Sequence, residues 1–209
     1  MSTAFAHEVR NPLSSIRMLT QITLEKISDT SVQQSMSKIL DEIERIEVIV
    51  GGWMDLARPT KLDRTMTDLN LIVNDVLKLM TANLSHHHIK VEKDLAIELP
   101  MISIDADKIK QVMINLILNA MQAMPKGGKL HLTTCESEKF VEAKVSDTGL
   151  GMNSKTMGRI FDPFFTTKSS GIGLGLSTSQ QLVEQHLGQI TVDSVIEQGT
   201  TITIKLPNL

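Results

Sequence analysis

The stretch AHEVRNPL, residues 6–13, places three side chains that can do chemistry close together. His7 is followed directly by the carboxylate of Glu8, and the amide of Asn11 lies one helical turn further along. A neutral imidazole is a nucleophile, and a neighbouring carboxylate can take its proton, a general-base role commonly worth about 10²–10⁴ in rate. A lone surface histidine is usually an ordinary solvated side chain. Glu8, Asn11 and Pro12 weaken that interpretation here, but the motif alone leaves both interpretations open.

The residues around this motif follow a heptad pattern. Apolar side chains from Val32 to Ala57 are spaced alternately by four and three positions, and the same spacing runs from Val9 to Thr23. Such seams are typical of helices that pack side by side. Residues 28–31 supply a turn between the two segments. Because two helices cannot bury both seams against each other alone, the pattern predicts an antiparallel hairpin that dimerises into a four-helix bundle.

The heptad also predicts where the candidate nucleophile points. On this pattern His7, Glu8 and Asn11 all lie away from the seam and face solvent. Pro12 removes one backbone hydrogen bond and crowds the preceding turn, which predicts a bend in the helix one turn past His7. The candidate nucleophile is therefore expected to be exposed, beside a bend.

The pattern changes after Arg58-Pro59, because a proline disfavours the helical conformation of the residue before it. Asp68 and Asp105 are predicted to cap helices. A further helix is predicted over residues 177–186, and strands over residues 89–93, 129–134, 140–146, 190–193 and 200–206. The predicted fold class is α+β: a helical hairpin at residues 1–60, then an α/β sandwich with helices on one face at residues 61–209.

One predicted helix of the second domain carries two amides. Asn115 and Asn119 are four positions apart in the otherwise apolar segment NLILNA, and therefore share one face of the helix. Buried amides need partners. Amide oxygens are suitable ligands for a hard cation such as Mg²⁺. Nearby backbone groups could satisfy the pair equally well, so the amides alone leave both interpretations open.

Two glycine-rich stretches follow in order. DTGLG, residues 147–151, comes directly after a predicted strand, where glycines allow close backbone approach and Asp147 can accept a hydrogen bond from an exocyclic amine. GIGLGL, residues 171–176, runs into a predicted helix, a geometry that offers backbone N–H groups to a phosphate. Each pattern alone is weak, but their order after the asparagine pair favours a nucleotide site.

The segment between the glycine stretches, residues 152–170, contains FDPFFTTK and ends in two serines. A short apolar helix and these turn-forming residues predict a mobile lid over a site. Lys168 would supply a positive charge to a phosphate, although the sequence is equally compatible with a solvated surface lysine.

Composition excludes several classes. A net charge of −3 and a pI near 6.1 argue against binding to nucleic acid, which favours a basic face. One cysteine, Cys135, cannot form an intrachain disulfide, which indicates a reducing, cytoplasmic setting. No apolar run is long enough to span a membrane, so no membrane contact is expected for this fragment. The P-loop pattern and the HRD and DFG motifs of protein kinases are absent.

In order, these motifs resemble those of the bacterial sensor histidine kinases of two-component signalling. AHEVRNPL is similar to that family's H box, NLILNA to its N box, DTGLGM to its G1 box, FDPFFTTK to its F box, GIGLGL to its G2 box, and Gly199-Thr200-Thr201 to its last glycine box. The resemblance covers nearly the whole chain, and the ordered set of six motifs is highly specific. The opening segment and the FDPFFTTK box look most like those of the sporulation-type or nitrogen-regulation-type kinases. It implies a dimerising phosphoacceptor hairpin followed by a Bergerat-type ATP-binding domain.

For the hairpin, the resemblance implies that ATP phosphorylates His7 with Glu8 as the base. It further implies that Asn11 helps to position water when the protein acts as a phosphatase. The implied partners are a second copy of the chain, a response-regulator receiver domain whose aspartate takes the phosphoryl group, and a small inhibitor protein that binds the hairpin. Because Met1 lies almost on the H box, a missing N-terminal sensor with a membrane anchor is expected.

For the second domain, the resemblance implies Mg²⁺ at Asn119, phosphate contact by Asn115 and adenine recognition by Asp147. The other residues implied for ATP binding lie in the glycine boxes and the lid: Gly149, Gly151, Thr167, Lys168, Gly171, Gly173, Gly175, Leu176 and Thr200. His86-His87-His88 lies outside every box and is expected to be an exposed turn before a strand. His131 and His186 are expected to be structural.

Other functions remain to be weighed. Asp-Thr-Gly also marks retroviral-type aspartic proteases, but that interpretation leaves GIGLGL, NLILNA and the hairpin unexplained. A Bergerat-fold ATPase would use the hairpin only for docking or dimerisation, and such proteins lack an exposed His-Glu pair on it. A docking module with weak catalysis would bind partners yet fail to become labelled by ATP.

Overall fold

A computed structural model describes residues 2–57, 61–168 and 171–208, and within α1 and α2 it leaves the side chains of residues 2–8, 10, 44, 45, 47–49 and 52–57 undescribed. The chain divides into two compact units, Met1–Thr60 and Lys61–Leu209. The first is helical and the second is a mixed α/β unit, so the predicted α+β class is confirmed.

The first unit consists of helices α1 (Ser2–Lys26) and α2 (Thr30–Ala57). Asp29 begins α2, because its Oδ1 accepts hydrogen bonds from the backbone N–H groups of Ser31 at 2.8 Å and Val32 at 3.3 Å. The hydroxyl of Ser31, followed by these N–H groups, lowers the pKa of Asp29. The turn is therefore shorter than the predicted residues 28–31, because an Asp carboxylate satisfies N–H groups that a helix start leaves free.

The predicted seam is buried only in part by a single hairpin. Leu13, Thr20 and Ile43 are buried, and Thr20 also donates a hydrogen bond from its hydroxyl to the Ile16 carbonyl at 2.8 Å. In contrast, the side chains of Ile16 and Ile39, which are also seam positions, are 47% and 41% exposed. One hairpin thus leaves part of its apolar seam in solvent.

The second unit contains helices on one face of a five-stranded sheet. Its helices are α3 (Leu69–His86), α4 (Ala106–Ala123), α5 (Ser154–Met157) and α6 (Gly175–Gln185). Its strands are β1 (Thr65–Thr67), β2 (Ile89–Leu95), β3 (Ile102–Ile104), β4 (Gly128–Ser137), β5 (Phe140–Asp147), β6 (Gln189–Val195) and β7 (Gly199–Pro207). The large sheet has the order β2-β4-β5-β7-β6, and β1 pairs with β3 in a separate two-stranded sheet.

Pairing in the large sheet is antiparallel except between β2 and β4, which run parallel. Side chains alternate between the two faces, and Val141, Ala143 and Val145 of β5 lie in the core together with apolar residues of α3, α4 and α6. The predicted helices on one face of a largely antiparallel sheet are therefore confirmed.

Aspartate side chains cap the starts of the two longest helices of this unit, α3 and α4. The Oδ1 atom of Asp68 accepts a hydrogen bond from the Asn70 N–H at 2.8 Å, and Oδ1 of Asp105 accepts one from the Lys108 N–H at 3.1 Å. Both caps were predicted, because an Asp before an apolar helical stretch can satisfy an N–H group that the first turn leaves free. Helix α6 begins at Gly175, two residues earlier than predicted.

The chain enters the second unit through two hydrogen bonds to helix ends. The backbone N–H of Asp63 donates to Oδ2 of Asp105 at 3.0 Å, at the start of α4. Nη2 of Arg64 donates to the Gln185 carbonyl at 2.7 Å, at the end of α6. Residues 63 and 64 are therefore fastened to both of these helices.

His186 is a buried structural residue, as predicted. Its Nε2 accepts a hydrogen bond from the backbone N–H of Asp105 at 3.0 Å, and its Nδ1 lies 2.7 Å from the Leu182 carbonyl. Because Nε2 accepts, the network assigns the ring proton to Nδ1 and the ring is neutral. His86-His87-His88 is exposed and precedes β2, as expected. Among the described residues, no cluster of His, Cys, Asp or Glu could hold a metal ion.

Acidification is expected to destabilise the fold through His186. Burial lowers the pKa of His186 below its ordinary value of 6.5; the hydrogen bond to Leu182 and the charge of Asp105 oppose this, and Arg64 adds to it. As the pH falls below about 6.5, the unfolded chain binds a proton that the folded chain does not, so stability declines. Urea unfolding at several pH values measures this, with His186→Gln as a non-titrating reference. On acidification, the free energy of unfolding of the wild type is expected to fall more than that of His186→Gln. A difference between the two that does not change with pH would contradict this.

Within the part of the chain that the structure describes, no helix has the length and apolar character that crossing a bilayer requires.

Candidate functional site

The asparagine pair of α4 faces the start of α6 and the lid. Nδ2 of Asn115 lies 3.4 Å from both the Gly175 carbonyl and Oγ of Ser179. Oγ of Ser179 in turn donates to the Gly175 carbonyl at 2.8 Å. Asn115 thus links α4 to the first turn of α6, where the second glycine stretch ends.

Asn119 meets the lid lysine. Nζ of Lys168 donates a hydrogen bond to Oδ1 of Asn119 at 2.8 Å and a second one to Oε1 of Gln122. Lys168 is half-buried. Burial lowers the pKa of Lys168, and the negative charge of Asp147 partly opposes this. The structure therefore brings together three predicted site residues that are far apart in the sequence.

Asp147 ends β5 and holds the first glycine loop. Its Oδ1 accepts hydrogen bonds from the backbone N–H groups of Gly149 at 2.8 Å and Thr200 at 3.3 Å. Burial raises the pKa of Asp147, while these two hydrogen bonds and the positive charge of Lys168 act in the opposite direction. Both bonds use the same carboxylate oxygen, Oδ1.

Two glycines allow the loops around Asp147 to pack closely. Gly151 and Gly199 have φ angles of +61° and +103°, which side-chain-bearing residues rarely adopt. A Cβ atom on Gly151 would overlap the carbonyl of Val195, and one on Gly199 would overlap the carbonyl of Asp147. These contacts bring the loop after β5 against the turn between β6 and β7.

The lid folds back on the second glycine stretch. The backbone N–H of Phe164 donates to the Gly173 carbonyl at 2.9 Å, and the Arg159 guanidinium lies 4.4 Å from the centre of the Phe165 ring. A short helix, α5, lies before the FDPFFTTK segment as predicted, but its sequence is SKTM and none of its residues is buried, so it is not the apolar helix that was predicted. Residues 169 and 170 lie outside the described residues.

The remaining predicted ATP-site residues lie in or beside these loops. Gly149 and Thr200 are buried, Thr167 is exposed, and the others are half-buried: Gly171, Gly173, Gly175 and Leu176. Gly175 is the first residue of α6, and its Cα faces the side-chain amide of Asn115.

The H box lies in α1. The side chains of His7 and Glu8 are outside the described residues, whereas Asn11 and Pro12 are exposed as predicted. α1 continues through Pro12 without interruption. The bend predicted at this position stays a prediction.

Gln122 contacts the site but was not predicted from the sequence. It is three positions after Asn119 and therefore on the same side of α4. This spacing was available in the sequence, but an exposed glutamine near a helix end is usually an ordinary surface residue.

An acceptor carboxylate after a strand, paired amides on a helix and a lysine-bearing lid together define a nucleotide-binding domain. The family comparison agrees: residues 104–209 match the family described as "Histidine kinase-, DNA gyrase B-, and HSP90-like ATPase". Residues 1–62 match the "His Kinase A (phospho-acceptor) domain". The chain belongs to the histidine kinase family, which confirms the resemblance, and its second unit is that family's ATP-binding domain.

Individual relatives agree. The sensor histidine kinase ZraS of Escherichia coli (strain K12) is 36% identical over 208 residues, which cover 99% of this chain and 45% of ZraS. Sporulation kinase B of Bacillus subtilis (strain 168) is 31% identical over 210 residues, covering 99% of this chain and 49% of that protein. The chain thus spans about half the length of these curated relatives.

Among solved structures, histidine kinase ThkA in complex with response regulator protein TrrA matches with a TM-score of 0.74 at 27% identity. That match covers 100% of this chain and 61% of the ThkA chain.

Proposed function

We propose that this chain is the catalytic core of a protein-histidine kinase that phosphorylates itself on His7 and passes the phosphoryl group to an aspartate of a response regulator. The observation that carries the proposal is the contact between Lys168 and Asn119 beside Asp147, on a chain that also carries the phospho-acceptor segment. A lysine, a cation-binding amide and an acceptor carboxylate are the groups that a magnesium nucleotide needs.

The phosphoryl step uses the groups of the H box. One ring nitrogen of neutral His7 attacks the γ-phosphorus, an N–P bond forms, and the bond to the leaving ADP oxygen breaks. Glu8 takes the proton from the other ring nitrogen, so the phosphorylated ring is not left with an extra positive charge. In a separate hydrolytic reaction, Asn11 positions the water molecule that attacks the phosphoryl group on the aspartate of the regulator and releases inorganic phosphate.

The nucleotide is held by the second unit. Oδ2 of Asp147 accepts a hydrogen bond from the adenine amine, and Lys168 binds the phosphates. Oδ1 of Asn119 already accepts a hydrogen bond from an ammonium group, which fits a place where a cation can lie; Asn119 would hold Mg²⁺, with Asn115 beside it. Bound Mg²⁺ neutralises charge that develops on the phosphates.

Labelling with γ-labelled ATP and Mg²⁺ tests the proposal. A phosphohistidine is expected to survive alkali and to be lost in acid, so label with that behaviour on the wild-type chain supports the kinase. ATP turnover with no label on the chain would contradict it and favour the Bergerat-fold ATPase, in which the hairpin serves only for docking or dimerisation.

Dimerisation through the hairpin is proposed from its exposed apolar residues. Leu19 and Ile22, which widen the seam, are 61% and 41% exposed in one copy. A second copy would cover them and leave the exposed Asn11 and Pro12 in solvent, as a four-helix bundle does.

Leu19→Glu is expected to weaken the dimer about 10²-fold or more, because burial of a leucine contributes about 1.5–3 kcal/mol and each copy loses one. Sedimentation equilibrium measures the change. Gln21→Glu, at an exposed polar position of the same helix, is the matched control. A monomeric wild-type chain, or an unaffected Leu19→Glu dimer, would contradict the proposed interface.

The partners are proposed by analogy with the relatives. ThkA is described in complex with a response regulator protein, and a receiver domain is the proposed partner here. Four of the relatives are sporulation kinases B, D, E and A of Bacillus subtilis, which supports a role in sporulation control. A small protein that inhibits by binding the hairpin is a further proposed partner.

A further inference from the structure

The lid lysine is bound by a pair of amide oxygens. Nζ of Lys168 donates to Oδ1 of Asn119 and to Oε1 of Gln122, and these two residues are three positions apart on α4. Residues with this spacing lie on the same side of a helix, so both oxygens face one point. The ammonium group of Lys168, a residue of the lid, lies at that point.

Without those two oxygens, the partly buried ammonium group of Lys168 would lack these hydrogen-bond acceptors, which is energetically unfavourable. Lys168 is half-buried, and the two amide oxygens accept hydrogen bonds from its ammonium group. An amide oxygen can accept a hydrogen bond from an ammonium ion and can also be a ligand of a hard metal ion, so the pair can hold either kind of cation. Mg²⁺ takes oxygen ligands of this kind.

Two cations cannot share the pair. An ammonium ion within hydrogen-bond distance of both oxygens fills the space that a metal ion would need, and the two positive charges repel each other strongly in a partly buried site. Lys168 must therefore leave Asn119 and Gln122 before a metal ion can be bound there. The phosphates of a bound nucleotide supply a new partner for its charge.

We propose that Gln122 is a further residue of the cation site, and that Lys168 and Mg²⁺ exchange on the oxygens of Asn119 and Gln122 when the magnesium nucleotide binds. The proposal rests on the proposed function, because it deepens the role of the same site. It makes Gln122 a positioning residue that retains the lid lysine in the nucleotide-free protein and receives the metal ion afterwards. Nucleotide that arrives without a metal ion has to displace Lys168 and leaves both oxygens without a cation.

The test is the effect of Mg²⁺ on nucleotide affinity. Dissociation constants of a non-hydrolysable ATP analogue are measured on the full chain, once with Mg²⁺ and once with a chelator. In Gln122→Met the ratio of the chelator value to the Mg²⁺ value is expected to fall about tenfold, because the metal ion loses one of its two amide oxygens, whereas loss of the Lys168 hydrogen bond in the nucleotide-free protein changes both dissociation constants by the same factor. In Gln122→Glu, which keeps the oxygens and adds charge, the ratio is expected to be restored or raised.

Gln189→Met, at an exposed glutamine of strand β6, is the matched control and is expected to keep the wild-type ratio. If Gln122→Met keeps the wild-type ratio, or if both of its dissociation constants change by the same factor, the exchange is overturned. If the wild-type chain binds no analogue under either condition, the proposed function itself fails. Binding that depends on Mg²⁺ but not on Gln122 overturns only the present inference.

A second measurement uses the wild-type chain alone. The side-chain amide ¹⁵N–¹H signals of Asn119 and Gln122 are recorded with the analogue, before and after Mg²⁺ is added. Both sets of signals are expected to move on addition of Mg²⁺. Movement of the Asn119 signals with the Gln122 signals unchanged would show that the metal ion uses Asn119 without Gln122, and would overturn the proposal.

Discussion

His7→Gln is expected to abolish transfer of label from γ-labelled ATP to the chain, a loss of at least about 10³-fold. Glutamine has a similar length and can form hydrogen bonds, but its amide nitrogen is not a nucleophile, because its lone pair is delocalised into the carbonyl. The residues proposed to bind the nucleotide all lie in the unit Lys61–Leu209, so affinity for ATP is expected to remain at the wild-type value.

The measurement combines acid-labile label per chain with the dissociation constant of a non-hydrolysable ATP analogue. Ser14→Ala, at an exposed position of the same helix outside the His-Glu-Asn set, is the matched control and is expected to label normally. Undiminished acid-labile label on His7→Gln would assign the phosphoryl group to another residue and overturn the assignment of His7.

Asp147→Asn is expected to weaken ATP binding by about 10²-fold, and to improve binding of guanine nucleotides relative to ATP. The oxygen of asparagine can still accept the hydrogen bonds from the N–H groups of Gly149 and Thr200, so the loop is expected to keep its shape. The other position changes from an acceptor to an NH₂ donor. A donor opposes the adenine amine, which is also a donor, but it suits the oxygen at the same position of guanine.

The stability of this variant separates recognition from folding. Burial raises the pKa of Asp147 above 3.8, so the folded chain binds a proton more readily than the unfolded chain. The carboxyl group therefore makes its whole contribution to the free energy of unfolding at pH values below its pKa in the unfolded chain. That contribution is lost as the pH rises through its pKa in the folded chain. A neutral asparagine avoids that cost, and Asp147→Asn is expected to be at least as stable as the wild type near neutral pH.

Calorimetric titration with both nucleotides and urea unfolding provide the two measurements. Asp193→Asn, at an exposed aspartate of strand β6, is the matched control. Unchanged ATP affinity in Asp147→Asn would remove Asp147 from adenine recognition. A large loss of stability would instead give it a purely structural role.

Elements with local signals could be predicted from the sequence. The caps at Asp68 and Asp105 depend on one side chain and the N–H groups within the next three residues, so residue type and spacing were enough. β1 and β3 were missed, because three residues are too few to establish an alternating pattern. The start of α6 was placed late, because the glycines of residues 171–176 suggested a loop that leads into the helix.

The candidate site could be predicted as a set of residues but not as a geometry. Asn119 and Lys168 each stood out by type and by neighbouring motif, yet their hydrogen bond joins positions 49 residues apart. Such a contact depends on how the lid folds over α4, which no local pattern encodes. Gln122 lacked any motif of its own, and only its contact with Lys168 distinguishes it from other exposed glutamines.

The two hydrogen bonds made by Asp63 and Arg64 have a practical consequence for building chimeric kinases. They fasten the incoming chain to the first residue before α4 and to the last residue of α6, and these helices carry Asn119 and Gly175 at the candidate site. A fusion joint placed after Arg64 would remove the Arg64 side chain and would leave the hydrogen bond to Asp105 to the backbone of the foreign segment. When input domains are exchanged between kinases of this kind, the joint should therefore be placed before Asp63. The second unit then keeps both Asp63 and Arg64 with their hydrogen bonds to α4 and α6.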